Sequence, residues 1–177
     1  MRNPLAAIIA SVLLATSLVA SGSLKYTAPP GWVTKTPSST MRLAEWTLPK
    51  AAPDTEDGLV TVYFFGATMG GNAQANIDRW IGQFSQPNGS ASKGAAKTSA
   101  GVTSSGLKMS SVDVTGTYVA EVTPGAAEHF NKPGWRQIAA LIETPGGPHF
   151  VKVIGPAATL AKWEASVTAF VKSISYE

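Results

Sequence analysis

Residues 59–65 read Leu-Val-Thr-Val-Tyr-Phe-Phe, an almost uninterrupted apolar and aromatic run. A strand with one face in water alternates apolar and polar side chains, whereas a continuous apolar run is typical of a strand covered on both faces. We therefore expect residues 59–65 to form a central strand. The rest of the chain must then supply elements that cover both faces of the sheet.

Two segments have the periodicity of amphipathic helices and can supply that cover. One apolar stripe runs through Ala73, Ile77, Trp80, Ile81 and Phe84, and a second lies near the C-terminus at Leu160, Trp163, Val167, Phe170, Val171 and Ile174. Asn72 is placed to cap the first helix, and Gly155-Pro156 is placed to begin the second. The two helices are expected to pack on the sheet through these stripes.

The remaining segments predict strands joined mostly by short turns. We expect strands over residues 24–33, 41–48, 96–103 and 107–121, with Gly116 marking a bulge or bend. Residues 137–144 and 149–154 form a hairpin around Pro145-Gly146-Gly147-Pro148. The predicted order is β-β-β-α-β-β-β-β-α, an α+β fold with a mainly antiparallel sheet flanked by helices.

The N-terminus has the pattern of a secretory signal peptide. Arg2 precedes a charge-free apolar run over residues 5–20, and small residues follow at Ala20-Ser21-Gly22-Ser23. We assign residues 1–22 to this signal and residues 23–177 to a single exported domain, periplasmic or extracellular. A retained membrane anchor is the alternative, although the run is short for a span of about 20 residues.

Composition excludes several classes of function. The chain has no cysteine, which rules out disulfides, thiol nucleophiles and cysteine-based metal sites. Its net charge is only +3, and no cluster of arginines marks a basic face. Because nucleic-acid binders concentrate basic side chains in one place, we expect no nucleic-acid partner.

The ends of the predicted domain resemble a known family. The segment leading into Pro30-Gly31-Trp32 is similar to the opening of PsbP-like domains, and a strand ending at residues 150–154 before a helix with Trp163 and Phe170 is similar to their close. This resemblance implies the Mog1/PsbP-like fold, an α/β/α sandwich, and a binding role without catalytic residues. It carries over no functional residue. The middle of the chain is similar to uncharacterised exported bacterial proteins at Gly70-Gly71, Asn76, Arg79-Trp80 and Phe84.

Polar side chains on otherwise apolar faces are the candidate ligand-binding residues. Lys152 alternates with Phe150 and Ile154 and so shares their face of the sheet. A charge on a buried face must find a partner or reach the edge, so a structural ion pair is the alternative to a ligand contact. Arg42 and Glu45 interrupt the second strand in the same way, and Asn76 and Arg79 flank the apolar stripe of the first helix, with an ion pair of Arg79 to Glu45 or Glu143 as the structural alternative. The candidates are therefore Arg42, Glu45, Asn76, Arg79 and Lys152.

No catalytic or metal motif stands out. His129 and His149 are expected at the surface, and no G-x-S-x-G elbow is present. Residues 66–71, Gly-Ala-Thr-Met-Gly-Gly, precede the first helix; they predict a flexible turn, with a backbone anion site as the alternative. We expect no metal and no cofactor.

The sequence therefore favours an exported, non-catalytic binding or accessory domain. We expect a monomer whose ligand is a protein, an envelope component or a small molecule, with no membrane span once the signal peptide is removed. One alternative is a hydrolase without a recognisable motif, which needs a histidine in a cleft beside a nucleophile or a carboxylate. The other is a lipid or small-ligand carrier, which needs an apolar cavity between the sheet and one helix.

Overall fold

The computed structural model of the protein describes residues 22–177, so nearly all of the predicted signal peptide lies outside the described residues. The helices are α1 (Ala73–Gly82) and α2 (Ala157–Ser173). The strands are β1 (Leu24–Lys25), β2 (Val33–Lys35), β3 (Arg42–Leu48), β4 (Gly58–Phe64), β5 (Phe84–Ser85), β6 (Lys97–Val102), β7 (Lys108–Tyr118), β8 (Lys132–Thr144), β9 (Gly147–Pro156) and β10 (Ser175–Tyr176).

Eight of these strands form one sheet. Seven follow the order β2-β3-β4-β9-β8-β7-β5, and the eighth, β6, pairs with a different stretch of β7 from the one that pairs with β5. Neighbouring strands in this sheet are antiparallel, which confirms the predicted mainly antiparallel α+β class. β1 and β10 pair separately. Within residues 22–177, no helix combines the length and the apolar character that crossing a membrane requires.

The central-strand prediction is confirmed. β4 lies between β3 and β9, and Val60 and Val62 have no exposed surface. The predicted edge strand over residues 96–103 is also confirmed as β6, whose residues are all exposed. A register shift between Gly116 and Tyr118 confirms the bulge that was predicted at Gly116.

Other boundaries differ from the prediction. Residues 24–33 do not form one strand, because β1 pairs with β10 outside the main sheet while β2 begins only at Val33. α1 ends at Gly82, and Phe84 opens β5 instead of completing the helical stripe. β8 begins at Lys132, five residues before the predicted Gln137. In each case a long-range strand pairing sets the boundary, and periodicity does not report such pairings.

The side chains of the central strands divide between two apolar clusters. On β8, Ala140 and Ile142 pack with buried residues of α2, whereas Ala139 and Leu141 pack with buried residues of α1. Successive side chains of a strand point to opposite faces, so this division follows directly from the β8 backbone. We call the sheet side chains on the α1 side the α1 face.

Hydrogen bonds and ring packing fasten α2 to the rest of the domain. Asp54 accepts from the backbone N–H and the hydroxyl of Thr159, at 2.6 and 2.7 Å, in the first turn of α2. The indole of Trp32 donates to Ser166, and its ring centroid lies 5.0 Å from that of Phe170. The Pro-Gly-Trp segment and the closing helix therefore meet in one core.

Candidate functional site

The α1 face carries a cleft of about 790 Å³. Residues of β3, β4, α1, β7, β9 and the segment after β7 line it, so the cleft is assembled from nearly the whole length of the domain. The lining side chains include Arg42, Tyr63, Phe65, Arg79, Trp80, Gln83, Tyr118, Glu121, His129, Phe150 and Lys152. Three of the five sequence candidates, Arg42, Arg79 and Lys152, thus lie in one cleft.

Lys152 lies in a polar row that crosses the sheet. It pairs with Thr61 on β4, and Thr61 pairs in turn with Glu45 on β3. Directly opposed residues share a face, so these side chains all lie on the α1 face. The Lys152 amine donates to the Gln83 side-chain oxygen at 2.9 Å and lies 5.4 Å from the centre of the Tyr118 ring.

A β-bulge places Arg42 and Glu45 on the same face. Arg42 pairs with Tyr63 and Ala44 pairs with Val62, which leaves Leu43 as an extra residue in β3. Without this insertion, residues three apart on a strand would point to opposite sides. Instead the Arg42 guanidinium forms an ion pair with the carboxylate of Glu45, which is 2% exposed. The buried carboxylate of Glu45 therefore fixes the position of the Arg42 guanidinium in the cleft.

Asn76 orients the Arg79 side chain, as Glu45 orients that of Arg42. Asn76 is 2% exposed, and its amide donates to the backbone oxygens of Gly70 and Asn72. Its side-chain oxygen accepts from the Arg79 guanidinium. The loop before α1, whose Gly70 has a φ of +106°, is thus tied to the helix by the same amide that orients Arg79.

Three cations line the cleft, and among residues 22–177 Arg42 is paired with Glu45 whereas Arg79 and Lys152 take part in no ion pair. Burial, and after it the nearby guanidiniums of Arg79 and Arg42, together lower the pKa of the Lys152 amine to about 8. None of the ion pairs among residues 22–177 involves Lys152. The cations therefore repel one another in the free cleft, and an incoming anion relieves that repulsion.

Aromatic rings form the walls around these cations. The rings of Tyr63 and Phe65 are stacked with centroids 5.6 Å apart, and Phe65 packs on Phe150 at 5.3 Å. The Arg42 guanidinium lies 5.3 Å from the centre of the Tyr63 ring. Burial raises the pKa of the Tyr118 phenol, and the neighbouring Tyr63 phenol raises it further; both residues line the cleft.

The segment between β7 and β8 borders the cleft. His129 bonds the backbone oxygen of Val119 through Nδ1 at 2.8 Å, and Glu121 accepts from the Gly125 N–H at 2.7 Å. Glu121 and His129 also pair as an isolated bridge. Both side chains line the cleft, so the histidine and the carboxylate at its border are engaged in holding this segment.

The expectation that His149 lies at the surface is wrong. Its ring is 4% exposed and stacks on Phe64 with centroids 4.6 Å apart. Its Nδ1 contacts the Gly147 backbone oxygen at 3.1 Å, and burial lowers the pKa of the ring. His129 is exposed, as expected. Strand pairing buries His149 because β9 lies between β4 and β8.

Sequence reasoning missed Tyr63, Gln83 and Tyr118 as members of the site. Tyr63 lies within the predicted apolar strand, and Gln83 is not part of the predicted apolar stripe of the first helix. One signal was present for Tyr63: it lies two residues from Thr61, the single break in the apolar run, and so shares its face. No local signal joins Tyr118 to Lys152.

The described residues include no group of three or more histidines and carboxylates able to hold a metal ion. No family model matches the chain, and a search of curated proteins finds no match to its sequence.

Proposed function

We propose that this protein is an exported, non-catalytic binding domain that captures a small organic anion in the cleft on the α1 face. One observation carries the proposal: the fold brings Arg42, Arg79 and Lys152 together in a cleft where burial, and after it the charges of the two arginines, lowers the Lys152 pKa. Clustering like charges is unfavourable for the free protein. A bound anion converts that unfavourable arrangement into an attractive one, so the cluster is best explained by a ligand.

The volume and the lining of the cleft favour a small molecule as the ligand. Its volume of about 790 Å³ falls within the range of small-ligand sites, roughly 300–1,000 Å³. The rings of Tyr63, Phe65 and Phe150 offer apolar contact next to the charges. A ligand with a flat apolar body and a carboxylate or phosphate group satisfies both parts. Such a ligand fits the hypothesis of a small-ligand carrier and does not fit a carrier of purely apolar lipids.

The fold and location belong to the same proposal. We place the two helices on opposite faces of the sheet as an α/β/α sandwich of the Mog1/PsbP-like kind. The division of β8 side chains between two clusters supports this, as does the contact of Trp32 with Phe170. The signal pattern at residues 1–22 supports export.

Substitution of Arg79 tests the anion site. Arg79 is exposed and its loss leaves no buried charge, so Arg79→Gln is expected to fold normally. Removing a hydrogen bond from a charged group costs about 1.5–3 kcal/mol, so anion affinity should fall by roughly 10- to 100-fold. Benzoate, phenyllactate and phenyl phosphate would be screened by thermal shift, and the tightest binder measured by calorimetry.

The matched control is Lys162→Gln, which removes an exposed cation from α2 that lies over Trp163 and away from the cleft. Affinity should be unchanged in this variant and should weaken with added salt in the wild-type protein. Failure of all three anions to bind, or equal affinity in the Arg79 variant and the wild type, would contradict the proposal.

A further inference from the structure

We propose that the Lys152 amine forms a reversible imine with a 2-oxo carboxylate whose carboxylate group is held by Arg79 and Arg42. This inference rests on the proposed anion site and names the class of ligand that the site takes. It adds a covalent step to a domain that otherwise binds by charge and shape alone.

The surroundings of Lys152 suit a nucleophile better than a structural cation. It is the only lysine among the residues that line the cleft, and its hydrogen-bond partner there is the neutral amide of Gln83. A structural lysine on a buried face would be expected to face a carboxylate. The nearest carboxylate in its polar row, Glu45, is two strands away and is already bound to Arg42.

The amine is also partly neutral under mild conditions. With its pKa lowered to about 8, on the order of a tenth of the Lys152 amines carry no proton at pH 7. An ordinary exposed lysine is neutral far less often. Burial beside other cations is a recognised way in which proteins prepare a lysine to attack a carbonyl carbon. Geometry and protonation state therefore point to the same chemistry.

The step balances without an oxidant or a second substrate. The neutral nitrogen of Lys152 attacks the carbonyl carbon, the C=O π bond breaks, and one proton moves from the nitrogen to the oxygen to give a carbinolamine. Loss of the remaining nitrogen proton and departure of the hydroxyl group as water produce the imine. The reverse reaction with water releases the ligand, so the cycle is a hydrolytic equilibrium with no net redox change.

The positions of the guanidiniums explain why a 2-oxo acid is preferred over a simple aldehyde. In a 2-oxo acid the carboxylate is bonded directly to the carbonyl carbon, so one short molecule reaches both a guanidinium and the amine. Arg79 and Arg42 line the same cleft as Lys152, and after burial their charges also lower its pKa. An aromatic substituent would face the stacked rings of Tyr63 and Phe65.

Imine formation should rise from pH 6 to pH 8 as Lys152 loses its proton. The charged and titratable groups around it come from every neighbouring element. They are Arg42 and Glu45 on β3, Tyr63 on β4, Arg79 on α1, Tyr118 on β7, and Glu121 and His129 in the segment after β7. A contribution of His129, whose Nδ1 bonds the backbone oxygen of Val119, is tested separately with His129→Gln.

Reductive trapping tests the inference directly. The full domain is incubated with phenylpyruvate and sodium cyanoborohydride, and the adduct is located by intact-mass and peptide mass spectrometry. We expect one adduct per chain, on Lys152, rising with pH and lost in Lys152→Arg. Lys162→Arg, the control on an exposed lysine, should be labelled like the wild type. Peptide mapping of the wild type decides the site even if Lys152→Arg folds poorly.

Phenyllactate separates this inference from the proposed function, since it has the same carboxylate and ring but no carbonyl group. Calorimetric binding of phenyllactate without any trapped phenylpyruvate overturns the imine and leaves the anion site intact. Labelling spread evenly over exposed lysines also overturns it. Absence of both binding and trapping overturns the two proposals together.

Discussion

Replacing Lys152 by methionine is expected to raise the free energy of unfolding at pH 7 by about 1–3 kcal/mol while weakening anion binding. The charged amine is disfavoured in the folded state, because its pKa falls from 10.5 to about 8. Such a difference corresponds to about 3 kcal/mol when the group is protonated in both states. Methionine fills a similar volume in the cleft and loses the bond to Gln83 and the contact of the charge with the Tyr118 ring.

The pH dependence of this effect has a definite sign. The folded protein binds the Lys152 proton more weakly than the unfolded chain does, so the cost is fully present below about pH 8. Between pH 8 and 10.5 the unfolded chain holds the proton that the folded protein has lost, and stability rises with pH. The stability difference between Lys152→Met and wild type should therefore shrink across that range.

Urea denaturation at several pH values measures this difference, and Lys162→Met is the control because Lys162 is exposed over Trp163. The control should leave stability nearly unchanged. A Lys152→Met variant that is less stable than wild type at pH 7 would show that the amine is favourably paired, contrary to the proposed ligand site.

Phe170→Ala is expected to lower the free energy of unfolding by about 3–5 kcal/mol. Phe170 is 1% exposed, and its ring lies within 5.5 Å of the centroids of both Trp32 and Trp46. Truncation leaves a cavity between the closing helix and β3, and the midpoint of thermal unfolding should fall by roughly 10 °C. Thermal and urea unfolding followed by circular dichroism measure both quantities.

Phe65→Ala is the matched control, because Phe65 is a partly exposed ring on the wall of the cleft. It should cost clearly less stability than Phe170→Ala but weaken the binding of aromatic anions. A larger loss of stability in Phe65→Ala than in Phe170→Ala would show that the apolar cluster packed against α2 is not the main core.

Local sequence patterns predicted the elements well because each pattern reports on a few neighbouring residues. The apolar run of residues 59–65 identified the central strand, and Gly116 identified the bulge where an added Cβ would lie 2.5 Å from the Ser85 backbone oxygen. β5 was missed because two residues are too few to show a period. Its pairing with Tyr118 and Thr117 is visible only in three dimensions.

The candidate site was predictable only in its parts. Lys152 and Arg42 could be singled out as charges on apolar faces, but they are over a hundred residues apart in the chain. Their meeting depends on the order of β3, β4 and β9 and on the bulge at Leu43. Neither the strand order nor the bulge can be read from composition or residue spacing. For this reason the sequence does not show that three cations meet in one cleft.

Calorimetry of phenyllactate at pH 8, repeated in buffers that differ in ionisation enthalpy, tests the central claim most directly. A bound anion should raise the pKa of Lys152 from about 8, so the protein is predicted to take up a fraction of a proton on binding, and Lys152→Met should take up none. Binding with no proton uptake by the wild-type protein, or with equal uptake by both proteins, would contradict an anion site built around Lys152.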